Sequence, residues 1–185
     1  MKKTVILFLS LFYSVYLATG QIPNLNFQHY NNEDGLSQLT VKEIFQDSKG
    51  FVWFSTTDGL NRFDGYEFEV YRYHRLDSSS ISSNHVSSIV EDDSGFLWFG
   101  TWENGLNRFN PVTENFKHYL PNKNNERSIA GKSINSIFID SRAGMWISSG
   151  KRLCRYNPES DDFTVYPFSI DDCEFAESSD GNLWL

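Results

Sequence analysis

From residue 41 onward, apolar residues come in runs of about four to six, interleaved with polar residues and closed by Asp, Asn, Gly or Pro. That is the grammar of short strands rather than of amphipathic helices, whose apolar positions recur every three to four residues. Residues 85–90, 96–101, 105–110 and 115–120 read as four successive strands. Asp92-Asp93-Ser94-Gly95 separates the first two, and its glycine accepts the positive φ of a tight hairpin. Asn110-Pro111 separates the last two, where proline cannot donate to a ladder.

The same quartet recurs along the chain. Trp53, Trp98, Trp146 and Trp184 lie 45, 48 and 38 residues apart, each in a segment that leaves a turn and enters an apolar run, while Trp102 falls outside this register. A repeating four-stranded unit of about 45 residues has the size of a propeller blade, whereas a solenoid of stacked strands uses repeats of about 20 to 30. The first strands, Val41-Lys42-Glu43-Ile44, Val86-Ser87-Ser88-Ile89 and Ile134-Asn135-Ser136-Ile137, carry small or polar residues between apolar ones, as suits the border of a narrow central channel. The second strands carry the tryptophans, which are expected in the core where blades pack face to face. The fold class is therefore all-β, a partial β-propeller of four-stranded antiparallel blades, with blades at 36–78, 79–127 and 128–170 and a truncated one at 171–185.

The last strand of each unit holds an aromatic pair three apart, Phe68 and Tyr71, Phe116 and Tyr119, Phe163 and Tyr166. Phe27 and Tyr30 repeat that pair ahead of any inner strands. Residues 21–35 are accordingly expected to supply the outer strand of a ring-closing blade whose inner strands belong to missing C-terminal blades. On this reading the ring is not closed, about three and a half blades are present, and the chain is a fragment.

Composition narrows the function. The 185 residues are 39% apolar and 22% charged, which excludes a disordered tail. A net charge of −8 leaves no footprint for neutralising phosphates, so no nucleic-acid partner is expected. Lys2 and Lys3 precede an apolar run of about 13 residues that ends at Ala18-Thr19-Gly20, too short for a span of about 20 and suited to signal peptidase. Residues 1–20 are read as a signal peptide, which puts the mature chain, with no membrane span, in the periplasm or outside the cell. An oxidising compartment permits Cys154 and Cys173 to pair, and two separate, partly buried thiols are the alternative. Cys154 holds the repeat position of Asn61 and Asn107, so the repeat does not require it.

Candidate chemistry is sparse. Asp93-x-Gly95-x-x-Trp98 overlaps the Asp-box of sialidase-like propellers, but an Asp-Gly turn plus a core ring makes a hairpin in any blade. Glycoside hydrolysis usually needs two carboxylates about 5 to 9.5 Å apart, and no pair stands out, so no catalytic residue is assigned. Glu91-Asp92-Asp93 lacks the alternating spacing of a calcium loop and is read as a solvated turn; no metal and no cofactor are expected. His29 and His118 hold equivalent outer-strand positions, and His74 and His85 are read as loop residues. The informative departure is Trp102-Glu103-Asn104, where the second unit has one extra residue and a ring that the core period does not need. A ring beside a carboxylate and an amide suits a sugar platform; packing against an adjoining loop is the alternative.

The strand Phe96-Leu97-Trp98-Phe99-Gly100-Thr101 followed by Gly105-Leu106-Asn107-Arg108-Phe109-Asn110 resembles the two-component regulator propeller repeat. Asp58-Gly59-Leu60-Asn61-Arg62-Phe63-Asp64 fits the same pattern, while Lys151-Arg152-Leu153-Cys154-Arg155-Tyr156 departs from it by lacking the Gly and Asn. The resemblance implies the N-terminal, periplasmic sensor portion of a hybrid two-component histidine kinase, whose propellers feed a β-sandwich, a membrane helix, and kinase and receiver modules. Many such sensors respond to oligosaccharides, so the implied partner is an oligosaccharide bound by the intact parent, with no catalysis by this chain. A secreted carbohydrate-active propeller enzyme and a protein-interaction scaffold are the competing readings.

Overall fold

The computed structural model describes residues 26–171 and 173–185; the signal peptide expected at 1–20 lies outside them. Three antiparallel four-stranded sheets follow in chain order. The first blade is β1 (Val41–Gln46), β2 (Val52–Thr56), β3 (Gly59–Phe63) and β4 (Phe68–Tyr71). The second is β5 (Val86–Glu91), β6 (Leu97–Thr101), β7 (Leu106–Asn110) and β8 (Asn115–Tyr119). The third is β9 (Ile134–Ile139), β10 (Met145–Ser149), β11 (Arg152–Asn157) and β12 (Asp162–Ser169). A two-stranded sheet, β13 (Ala176–Glu177) with β14 (Leu183–Trp184), follows. The innermost strands β1, β5 and β9 stand side by side, so the fold is the propeller type that the sequence pattern predicts. No helix among the described residues is long and apolar enough to cross a membrane.

Each β1–β2-type hairpin is closed by one aspartate. Asp92 Oδ1 accepts the backbone N–H groups of Ser94 and Phe96 at 2.9 and 3.0 Å, and Asp92 Oδ2 accepts the indole N–H of Trp98 at 2.7 Å. Asp47 does the same for Lys49, Phe51 and Trp53, and Asp140 for Arg142, Gly144 and Trp146. A buried indole needs an acceptor, and the turn aspartate supplies it while satisfying the hairpin backbone. For Asp140, burial alone would raise the carboxyl pKa, but these donors outweigh it and hold it below the ordinary range.

Blades join through rings. Trp53 of the first blade lies 5.5 Å from both Phe99 and Phe109 of the second, and Trp98 lies 4.7 Å from Tyr156 of the third. Trp53 and Trp98 are fully buried, and Trp146 is half-buried. Trp184, also expected in the core, is exposed instead. The two-residue strands around it present no covering face among the described residues, and Ser178 stands where the aspartate would be. Residues 26–30 belong to no strand here; Tyr30 packs on the edges of Phe63 and Phe68 at 4.9 and 5.5 Å.

The connection into each blade crosses over that blade's own third strand. Leu36, Ile81 and Ile129 on these connections are buried, and the next residue is held from below. Asn61 Oδ1 accepts the Ser37 N–H at 2.8 Å and Asn107 Oδ1 accepts the Ser82 N–H at 2.9 Å. Leaving such an N–H buried without its acceptor costs about 1–3 kcal/mol. In the third blade Cys154 takes the asparagine's place, and its sulfur sits against the backbone N–H of Ala130. Burial pushes this thiol up to about 11, with the Ala130 N–H opposing the rise. Cys154 and Cys173 are both free, so the thiols stand separately.

Candidate functional site

The turns between second and third strands form one rim together with the connections between blades: in the first and second blades the turn is bonded to the connection that enters the following blade, and in the third to the connection that enters its own. Gly59 N donates to Asn84 O at 3.1 Å, Gly105 N to Lys132 O at 2.7 Å and Gly150 N to Ser133 O at 2.9 Å. Gly105 has φ of 75°, and an added Cβ would meet Tyr119 O at 2.3 Å, so glycine is required where the turn passes the outer strand. The third blade solves the same turn differently. Gly150 and Lys151, with φ of 56° and 64°, form a two-residue hairpin with both central residues left-handed, which explains how this unit dispenses with the later glycine.

On this rim the second blade stands out. Thr101 Oγ1 donates to Gly105 O at 2.8 Å and accepts Asn104 N–H at 3.1 Å, which knots the turn at its base. Ser82 Oγ donates to Asn104 O at 2.8 Å and Trp102 N to His85 O at 3.2 Å, tying the turn to the connection beside it. The first blade makes the same base knot with one residue fewer, through Thr56 Oγ1 to Gly59 O and Asp58 N to Thr56 Oγ1. The extra residue pushes the Trp102 side chain outward, where it is 50% exposed. Glu103 is exposed and Asn104 half-buried, and no hydrogen bond occupies any of these three side chains among the described residues. The backbone is thus held while a ring, a carboxylate and an amide are left available. Exposed His85 and Lys132 flank the turn, and Arg72 pairs with Asp58 at 3.1 Å on the first blade.

Other candidates prove structural. His118 Nε2 lies 2.7 Å from Ser80 O and ties β8 to its connection. Asp92 and Glu91 are absorbed by the fold: Asp92 closes its hairpin, and Glu91 accepts Ser48 N–H and Oγ–H, each at 2.6 Å, from the preceding blade. No group of three or more metal-ligating side chains occurs among the described residues.

The sequence reading passed over the repeated arginine. Arg62 stacks over Phe51 and Trp53 at 4.9 and 5.8 Å and reaches Glu114 of the second blade at 3.1 Å. Arg108 stacks over Phe96 and Trp98 at 4.8 and 5.5 Å and reaches Asp161 of the third at 3.5 Å. Both acids sit at left-handed positions of the β3–β4-type turn, with φ of 55° and 53°. Asp161 also accepts hydrogen bonds from Tyr119 and Tyr156 at 2.6 and 2.7 Å and pairs with Lys117. Burial would raise its pKa, but Lys117 and the two phenols lower it to about 2. The signal was present in the sequence as an arginine one residue after each Asn61, Asn107 or Cys154.

Residues 80–103, spanning the connection and first two strands of the second blade, match the two component regulator propeller family. Over those residues the chain is similar to the two component regulator propeller repeat. Over 63 residues it is 48% identical to histidine kinase P4 of Formosa agariphila, covering 34% of this chain and 5% of that relative. The extracellular domain of a putative hybrid two component system from B. thetaiotaomicron superposes with a TM-score of 0.76 at 30% identity, over 84% of this chain and 23% of that one. A catalytically inactive virginiamycin B lyase from Staphylococcus aureus superposes at 0.63 with 21% identity, over 88% of this chain and 53% of that one, a likeness of fold alone. The chain thus spans a small part of that histidine kinase and of that extracellular domain.

Proposed function

We propose that this propeller is ligand-sensing input of a hybrid two-component sensor that regulates glycan use, acts outside the cytoplasm and does no chemistry itself. The observation that supports it best is the pairing of a repeat whose turn aspartates Asp47, Asp92 and Asp140 are each engaged in hairpin closure with 30% identity to an extracellular domain of a hybrid two component system. Acids already holding indoles and turn backbones are poor candidates for the acid and base of a hydrolase. In the receptor, ligand binding would favour one arrangement of the propeller over another, and that difference in affinity would set kinase output.

The ligand is an oligosaccharide, and its contact on this chain is the rim at Trp102, Glu103 and Asn104. The half-exposed indole offers an apolar face for sugar C–H groups, and the free carboxylate and amide offer partners for hydroxyls. Titration of the protein with oligosaccharides, followed by tryptophan fluorescence, is expected to show saturable binding that Trp102→Ala weakens about tenfold or more, or about 1.4 kcal/mol. Cleavage of the titrated glycan, or no saturable binding of any glycan tested, overturns the reading.

A further inference from the structure

A second feature of the third blade lies away from the Trp102 rim and does not rest on it. In the second blade the slot between the incoming connection and the outer strand is filled by His118, whose ring meets Ser80 O. The equivalent residue of β12 is Val165, and the residue equivalent to Gly105 is Arg152. A short apolar side chain replaces a bonded imidazole and a long cation replaces a glycine. A cavity of about 560 Å³ occupies this place, lined by Lys123, Arg152, Asn122, Asn125, Ile129 and Val165 among others. That volume falls within the range of small-ligand sites.

The wall is stiff. Ser128 Oγ accepts Asn122 N–H at 2.8 Å and donates to Asn122 O at 3.1 Å, closing the connection on itself. Asn122 Oδ1 and Asn125 Oδ1 accept the N–H groups of Asn124 and Arg127, each at 3.0 Å, which uses the amide oxygens and leaves both NH₂ groups without an intramolecular hydrogen bond among the described residues. Arg127 is neutralised by Asp162 at 2.7 Å, whereas Lys123 and Arg152 form no ion pair among the described residues. One carboxylate, Glu126, lines the cavity against these two cations. The pocket is therefore rich in donors and positive charge, over a floor of Ile129 and Val165.

We propose that this pocket binds a small hydroxylated carboxylate, the chemistry of a single uronate residue. A guanidinium matches a carboxylate with two parallel N–H···O bonds, the ammonium adds attraction, and amide donors meet ring hydroxyls while the apolar floor takes the ring's C–H face. Calorimetric titration with glucuronate and galacturonate is expected to give saturable binding, with glucose, the neutral ring, at least about tenfold weaker. Arg152→Met and Lys123→Met, both removing unpaired cations, should each weaken uronate about tenfold with unchanged thermal unfolding. Val165→His should refill the slot and abolish binding with both cations in place, and Trp102→Ala should leave uronate binding intact. Equal affinity for glucose, no saturable uronate binding, or binding that survives both Arg152→Met and Val165→His overturns the proposal. Loss through Trp102→Ala alone would assign the binding to the rim instead, and also overturns it.

Discussion

Glu43 shows how a single residue of the innermost strand takes its character from its neighbours. It lies opposite Ser55 in the β1–β2 register and on the face turned to the second blade, where its carboxylate accepts the Ile89 N–H. Its Oε2 atom and the Ser55 hydroxyl are both buried with no protein partner. Burial raises the Glu43 pKa from 4.5 to about 7, against the lowering effect of the Ile89 N–H. The folded state therefore keeps a proton that the unfolded chain has lost. Stability from this group is full below about pH 4.5, falls as pH rises toward about 7 and is flat above that. Glu43→Gln, neutral and similar in shape, should remove this slope. Urea midpoints of the variant should exceed those of the native protein by a margin that grows between pH 4.5 and 7, and a margin constant across that range contradicts the assignment. A glutamate at an otherwise Ser position was visible in the sequence, but its burial was not, because the covering strand comes from the next unit.

At the scale of the element, strand boundaries, hairpin turns and the ladder order were legible. Of the four strands read at residues 85–120, each coincides with β5, β6, β7 or β8 to within a residue at either end. Turn chemistry and apolar runs are local, and a hairpin ladder pairs only consecutive segments. The seam between blades is not local. Arg108 on β7 packs on its own blade's rings and binds an acid in the next blade's turn, so its role depends on how two sheets face each other. A double-mutant cycle of Arg108→Met with Asp161→Asn should give a coupling of about 1 kcal/mol in unfolding free energy, since both side chains are partly solvated. Strict additivity would mean the pair does not join the blades.

Across the whole molecule, equivalent residues meet unequal surroundings. Ile44, Ile89 and Ile137 hold the same position on β1, β5 and β9, yet Ile89 and Ile137 are 2% and 5% exposed against 63% for Ile44. Each blade covers the inner-strand face of the one after it, and no described segment covers that face of the first. Ile89→Ala should cost about 2–4 kcal/mol in unfolding free energy, and Ile44→Ala within about 0.5 kcal/mol. Comparable losses at the two positions, measured by urea unfolding, would show that the first blade's face is covered as well. The Trp102 turn belongs to this scale too. The sequence marked it as a departure from the repeat, but only the packing of connection against turn shows its backbone held and its side chains left free.

By itself the sequence determined the all-β class, the four-stranded unit, its repetition and the hairpin chemistry, because each rests on residues close together in the chain. It also marked Trp102, Glu103 and Asn104 as extra to the repeat. Tertiary structure decided which repeated residues are core and which are exposed, as Trp98 and Trp184 show, and made Glu43 a half-buried acid. It also opened the cavity beside Val165 and Arg152. Those outcomes depend on which surface a neighbouring blade or connection presents, and residues more than 20 positions away in the chain supply that surface, as Ile129 does for Arg152 and Ile89 does for Glu43.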